Sequence, residues 1–226
     1  MNPYLWILFG YIVGATPFGF LAGKFFRGID IRKEGSGNIG ATNVMRVLGK
    51  KIGYTVFALD VLKGFVPVML AKIFANDVPV NGVQVESLVP CLTTVATILG
   101  HHFPSWLKFK GGKGIATSAG SMLPLIPIII VTAFIIWMVT VSLTKYVSLA
   151  SIFAAITLPT GVALQCAFDQ NWQTRLPVLI LTSVACIMAI LRHRGNIERL
   201  LQGTERYMGE TVEEHKERVR RLQEED

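Results

Sequence analysis

The chain has 226 residues, 51% of them hydrophobic and only 16% charged, and its mean hydropathy is +0.49. A soluble domain of this size carries about 25% charged residues, so composition excludes an ordinary water-soluble enzyme and points to one polytopic membrane domain. The net charge of +7 fits basic loops retained in the cytoplasm and attraction to anionic lipid headgroups, whereas no aromatic-studded basic patch supports binding to nucleic acid.

Taken in chain order, the apolar runs predict an all-α helical bundle. Tyr4–Gly23 reads as a first span, uncleaved because it has neither a basic n-region nor a small-residue cleavage site. A loop from Lys24 to Lys51 follows, rich in Lys and Arg. Ile52–Ala75 is the second span and carries Asp60 and Lys63 on one helix face. Charges at that depth must pair or face the bundle interior, which makes them an internal ion pair that orders helix packing or a support of the site. The loop Asn76–Ser87 holds Asp77 and Glu86 but no Lys or Arg. Leu88–Gly100 is the third span, and the loop after it brings Lys108, Lys110 and Lys113.

Basic loops stay inside, so the N-terminus is expected outside and the arginine-dense C-terminus inside. That parity requires an odd number of crossings. Ile115–Leu143 is about 29 residues long. It satisfies the parity if Pro124 and Pro127 break it into two short limbs of about 14 residues, each shielded by neighbours. With Tyr146–Phe168 and Leu176–Leu191 the total is about seven transmembrane helices; a re-entrant pair that does not cross would give five with the same sidedness. The isolated Cys91, Cys166 and Cys186 read as buried thiols.

Three polar islands interrupt the apolar runs, all on the expected cytoplasmic side. In the first, GSGNIGATNVMR, Gly35, Gly37 and Gly40 match G-x-G-x-x-G, but polar RGIDIRKE stands where a dinucleotide-binding strand belongs. What remains is a glycine-rich turn able to approach an anion, with Ser36, Asn38 and Asn43 as short polar groups and Arg46 as a bidentate fork for phosphate. In the second, GHHFPSWLKFKGGKGIATS, Leu107 stands where a Walker A loop needs its first Gly, so a nucleoside triphosphate is not indicated. Gly111, Gly112, Lys113 and Gly114 still make a phosphate cradle at the start of a helix whose first turn holds Thr117. His101 and His102 lack a second pair of metal ligands and read as hydrogen-bonding side chains. In the third, HRGNIERL, His193 and Asn196 share a helix face, one suited to proton transfer and the other to orienting a hydroxyl. Glu198, five residues after His193, reads as a coincidental echo of the His-x-x-x-x-Asp acyltransferase pair. Ser148 and Ser151 open the sixth span at the same level.

In this order and on one membrane side, SGNIGATNVMR, GHHFPSWLKFKGGKGIATS and HRGNIERL closely resemble the bacterial membrane glycerol-3-phosphate acyltransferases that use acyl-phosphate. The likeness covers Met1 to about Gly203. It implies a small helical membrane bundle in the bacterial inner membrane that acylates the 1-position of glycerol 3-phosphate. The products are lysophosphatidic acid and phosphate, at the opening of phospholipid synthesis. Carried over residue by residue, it gives Ser36, Arg46, His193 and Asn196 catalytic roles. Asn38, Asn43, the Gly111–Gly114 loop with Lys113, Thr117 and Ser151 become substrate-binding. No cofactor or metal is called for; the partners implied are glycerol 3-phosphate, acyl-phosphate, membrane lipids and an enzyme that produces the acyl-phosphate. Residues 1–203 then form one membrane-embedded acyltransferase domain and 204–226 a charged cytoplasmic tail without assigned chemistry. A transporter of a phosphorylated solute is the competing class, but no internal repeat or midplane charge pattern favours it.

Overall fold

The structure is a computed structural model, and it describes residues 2–75, 78–80, 83–85, 88–170 and 172–225. Its helices are α1 (Pro3–Gly14), α2 (Phe18–Arg27), α3 (Ala41–Leu48), α4 (Lys50–Phe74), α5 (Leu88–His102), α6 (Ile115–Met122), α7 (Pro127–Thr144), α8 (Val147–Asp169), α9 (Trp172–Arg192), α10 (Arg194–Leu201) and α11 (Val212–Glu225). Between α4 and α5, where a loop is expected, β1 (Val78–Val80) pairs antiparallel with β2 (Val83–Val85). Asn76, Asp77, Glu86 and Ser87 lie outside the described residues. Among the described residues before the first glycine island there are α1, α2 and a 3₁₀ turn at Ile31–Lys33 and no strand, in keeping with the rejection of a dinucleotide fold.

Among the described residues four stretches are long and apolar enough to cross a membrane: Tyr4–Arg27, Pro127–Thr144, Val147–Asp169 and Thr174–Arg192. Their outward faces carry large exposed apolar side chains, such as Leu5, Leu8 and Ile12 on α1 and Ile128, Val131, Ile135 and Leu143 on α7. Such a surface suits a lipid surround. Inside, Cys91, Ile98, Met122, Ile129, Val162, Cys166 and Leu181 join α5 through α9 in one apolar core. The three cysteines are free and buried, as expected. A second core of Ala22, Ile31, Ile39, Val44, Leu48 and Val56 lies under the first island.

Two helix breaks organise the bundle, and one helix serves both. The first span is not continuous: Ala15–Pro17 separates α1 from α2, because proline lacks an N–H and restricts the residue before it. The freed Thr16 carbonyl accepts from Lys63 Nζ at 2.8 Å. Lys63 also sits 2.7 Å from Asp60, with side chains 3% and 4% exposed, a close charge contact rather than an aligned hydrogen bond. At the second break the Pro124 carbonyl accepts from Lys72 Nζ at 2.6 Å. Both lysines belong to α4. Asp60 and Lys63 therefore have the packing role, since Lys63 adds a donor to a backbone acceptor at the break that the Phe18 amide also reaches, at 3.2 Å.

The equal division of Ile115–Leu143 needs correction. The break falls at Leu123–Ile126, but the limbs have 8 and 18 residues, since Pro127 starts α7 at its first turn. Alpha-helical rise makes α6 only about 12 Å long, short of the roughly 30 Å hydrocarbon core. Gly64 of α4 presses on the Thr117 carbonyl while Lys72 reaches Pro124. Gly120 of α6 packs as closely on the Val61 carbonyl, so α6 crosses the middle of α4 at Val61–Gly64. The loop before α6 thus reaches into the bundle.

Candidate active site

The first island is a knotted turn. Asn43, 1% exposed at the start of α3, donates through Nδ2 to the carbonyls of Ile31 (3.2 Å), Glu34 (3.0 Å) and Asn38 (2.9 Å). Its Oδ1 accepts from the Ser36 amide at 2.7 Å. Asn38 Oδ1 accepts from the Gly40 amide at 2.8 Å. Ser36 is thereby held exposed at the tip of the loop, and half-buried Arg46 follows one turn after Asn43 on the same helix. Asn43 is a buried organiser of this turn: all its polar atoms face backbone, which differs from the substrate-binding role expected for it.

The second island wraps the two histidines at the end of α5. The Gly111 and Gly112 amides donate to the carbonyls of His102 (3.1 Å) and His101 (3.2 Å). A Cβ on Gly112 would collide with His101 Nε2, and one on Gly114, whose φ is +75°, would lie 2.7 Å from His102 Nε2. Only glycine permits that approach. His102 Nε2 donates to the Lys113 carbonyl at 3.0 Å, and Thr117 Oγ1 meets His101 Nδ1 at 3.1 Å. These contacts revise the cradle expected here. Two of its amides are spent on backbone carbonyls, and Thr117, fully buried, packs behind the loop. Between these glycines Lys113 is the one long side chain. Among the described residues no group of three or more His, Cys, Asp or Glu is placed to hold a metal.

The third island meets this loop. Lys113 Nζ donates to Asn196 Oδ1. Asn196 Nδ2 donates to Glu205 Oε1 at 2.5 Å, and the same carboxylate accepts from Ser148 Oγ at 2.8 Å and from Arg199 Nε at 2.8 Å. Five residues from four separate segments are thus tied into one network. Burial pushes the Lys113 ammonium down to about 8; Glu205 pulls it back up, while Arg199 and Arg46 push it down further. Burial likewise lowers the Arg46 guanidinium, with Arg206 adding repulsion and Glu205 and Glu210 opposing. His193, 2% exposed, has Nδ1 at 2.8 Å from the Ala189 carbonyl. A carbonyl only accepts, so Nδ1 carries the hydrogen and Nε2 the lone pair. Burial first and Lys113 second bring His193 down to about 4, which leaves it neutral at physiological pH.

Of the residues singled out from sequence, the structure joins Lys113 to Asn196 directly and brings Arg46 and His193 within electrostatic reach of Lys113. Ser151 is not in this network. Its hydroxyl donates to the Val147 carbonyl at 2.8 Å and accepts from Trp137 Nε1 at 3.3 Å. Ser148, one turn earlier, holds Glu205 instead. Glu198 is exposed, in line with a coincidental spacing. Glu205, 5% exposed, escaped sequence reasoning because it opens a charged tail; the nearest signal was the run Gly203-Thr204-Glu205, a turn followed at once by a carboxylate.

Helices faced for lipid around a buried, cation-rich side-chain network define an integral membrane protein equipped for an anionic substrate. The glycerol-3-phosphate acyltransferase family model matches residues 4–203. The glycerol-3-phosphate acyltransferase of Desulforamulus reducens is 45% identical over 205 residues, covering 90% of this chain and 94% of that protein. Glycerol-3-phosphate acyltransferase 2 of Thermotoga maritima is 41% identical over 91% of this chain and 96% of its own length. The crystal structure of PlsY (YgiH), an integral membrane glycerol 3-phosphate acyltransferase in its glycerol 3-phosphate form, superposes with a TM-score of 0.80 at 39% identity. That match covers 92% of this chain and 96% of the other. The lysophosphatidic acid form gives 0.77 at 38% identity, with the same coverage. The chain belongs to the bacterial membrane glycerol-3-phosphate acyltransferase family.

Proposed function

We propose that this acyltransferase takes its acyl group from acyl-phosphate and passes it to the 1-hydroxyl of glycerol 3-phosphate, releasing lysophosphatidic acid and inorganic phosphate. The observation that carries the reading is the network of Lys113, Asn196 and Glu205 with Arg46 in electrostatic reach. It is a buried site with more cations than carboxylates, suited to two phosphate groups. The solved relatives crystallised with glycerol 3-phosphate and with lysophosphatidic acid match the acceptor and the product of this scheme.

Acyl-phosphate is a mixed anhydride, so its carbonyl is already activated and the protein's task is positioning and charge stabilisation. Lys113 and Arg46 hold the phosphates. The positive end of α6, beside Lys113, adds to that field. Asn196 and His193 place the attacking hydroxyl, and Ser36, on the exposed loop tip, contacts the substrate. The hydroxyl oxygen bonds to the acyl carbon, the bond from that carbon to the phosphate oxygen breaks, and phosphate departs with the electron pair. The hydroxyl proton goes to the departing phosphate. A His193 that protonates only near 4 is a poor proton store, whereas a phosphate group has a second pKa of about 6. His193 therefore orients through Nε2. The alternative is a covalent acyl-Ser36 intermediate, and incubation with labelled acyl-phosphate in the absence of acceptor separates the two: labelled protein would support the ester.

The site faces the cytoplasm of the inner membrane, with the N-terminus outside, the C-terminus inside and seven crossings, α1 and α2 together making the first and short α6 one of the others. Charge asymmetry between loops supports this arrangement. The deciding assay measures phosphate release from acyl-phosphate by purified protein in detergent, with and without glycerol 3-phosphate and with acyl-CoA as rival donor. Release that ignores the acceptor, or acylation from acyl-CoA alone, would overturn the donor assignment. Transport of a phosphorylated solute is the weaker reading, since the cationic groups gather in one network rather than in matched halves of the bundle.

A further inference from the structure

The C-terminal helix α11 lies beyond the residues that the family model matches, 4–203, and its sequence reads as a solvated charged tail. In the structure it folds back on the segment that carries Glu205. Arg218 of α11 donates through Nη1 to the Gly203 carbonyl at 2.9 Å and through Nη2 to the Glu205 carbonyl at 2.7 Å. Its Nε donates to Glu210 Oε1 at 2.8 Å, and its guanidinium lies 4.4 Å from the centre of the Tyr207 ring. Glu210 in turn accepts from the Tyr207 amide at 3.0 Å and contacts His215 Nδ1 at 3.2 Å. One side chain thus closes the turn from Gly203 to Glu210 from several directions.

That turn is also anchored on the bundle. Tyr207 stacks on Tyr146 with ring centres 4.9 Å apart, and the Met208 amide donates to the Lys145 carbonyl at 2.7 Å. Lys145 and Tyr146 form the joint between α7 and α8, directly before Ser148. The Glu205 carboxylate therefore hangs from a backbone pinned by Arg218 on one side and by the α7–α8 joint on the other. Its position then sets Asn196, and Asn196 sets Lys113.

We infer that Arg218 is a positioning residue for acyl transfer: it straps α11 over the Gly203–Glu210 turn so that Glu205 holds Asn196 and Lys113 in register for the anionic substrate. The inference rests on the proposed reaction. Arg218 touches no substrate. It acts through two backbone carbonyls, and a planar five-donor guanidinium suits that task where an ammonium would satisfy only part of it. Small displacements of a positioning group are costly, a 1 Å error reaching the order of a hundredfold in rate.

The test compares wild type, Arg218→Ala, Arg218→Lys and a chain ending at Thr211, purified in detergent and normalised to folded, monodisperse protein. Acyl transfer from acyl-phosphate to glycerol 3-phosphate is followed from pH 6.5 to 9.5. Arg218→Ala and the truncation are expected to lose roughly ten- to a hundredfold in kcat/KM, with Arg218→Lys between them and wild type. The alkaline limb of kcat/KM should also move to lower pH. The charged groups around Lys113 are Arg46, Arg199, His193 and Glu205, and only Glu205 supports its protonation. A loosened Glu205 removes that support. Unchanged kinetic constants and an unmoved limb in correctly folded Arg218→Ala would overturn the inference. If Arg218→Ala does not fold, Arg218→Lys decides by the same two readings. Inactivity of the wild type with acyl-phosphate would instead fault the donor assignment and is distinct from both outcomes.

Discussion

Lys113 offers the most direct test of the site. Its ammonium sits at about 8 because burial strips solvent from it, with Glu205 opposing and Arg199 and Arg46 adding to the shift. The sign follows: a depressed lysine is charged below that value and neutral above it. About 90% of the enzyme carries the charge at pH 7 and about 10% at pH 9. If the charged form grips phosphate, kcat/KM for glycerol 3-phosphate falls above pH 8, approaching tenfold per pH unit. Replacing Lys113 by Ala removes one charged hydrogen bond, worth about 1.5–3 kcal/mol, so a loss of roughly ten- to 150-fold is expected at pH 7. The alkaline limb should vanish with it. Lys113→Arg, which stays charged throughout, should push the limb beyond pH 9 even if the geometry lowers the rate. The assay is acceptor-dependent phosphate release, corrected for spontaneous hydrolysis of the donor. A wild-type profile flat from pH 7 to 9.5, or Lys113→Ala with ordinary constants, refutes the assignment.

His193 should stay neutral down to about pH 4, being buried beside Lys113; nitrogen-15 NMR of labelled histidine would detect it, and a titration near the ordinary 6.5 contradicts the described burial. Gly112→Ala drives a methyl group into the His101 ring; a cost of about 1–3 kcal/mol and a large loss of activity are expected with helical content by circular dichroism retained, whereas full activity would mean the loop is not packed on that ring. The Asp60–Lys63 pair separates packing from chemistry. Breaking it by Asp60→Asn or Lys63→Met should cost about 3–5 kcal/mol of stability by leaving a buried charge alone, and the double substitution should recover part of that in thermal unfolding. Strict additivity of the two losses would show that the charges do not sense each other.

Much of this molecule is legible in the chain itself. Long apolar runs between polar loops favour helices in lipid, because each backbone group must find its partner within the segment; α8 and α9 follow from that alone, whereas α4 carries Asp60, Lys63 and Lys72 and α5 has only 15 residues. Glycines clustered around one lysine, between spans, similarly announce a tight turn that displays a cation. Glycine spacing does not say what the turn presses against, and here it is the rings of His101 and His102. Nor does an apolar run reveal where a proline break finds its hydrogen-bond donor. Lys63 and Lys72 supply it from 47 and 52 residues away in sequence. The largest gap concerns Glu205 and Arg218. Both read as surface charges in a polar tail, since composition registers average hydration and not pairing. Only the folded chain, by seating the Tyr207–Met208 turn on the α7–α8 joint, takes one carboxylate out of water and gives it to Ser148, Asn196 and Arg199. Local sequence specifies which groups a segment can offer; long-range closure decides which of them meet.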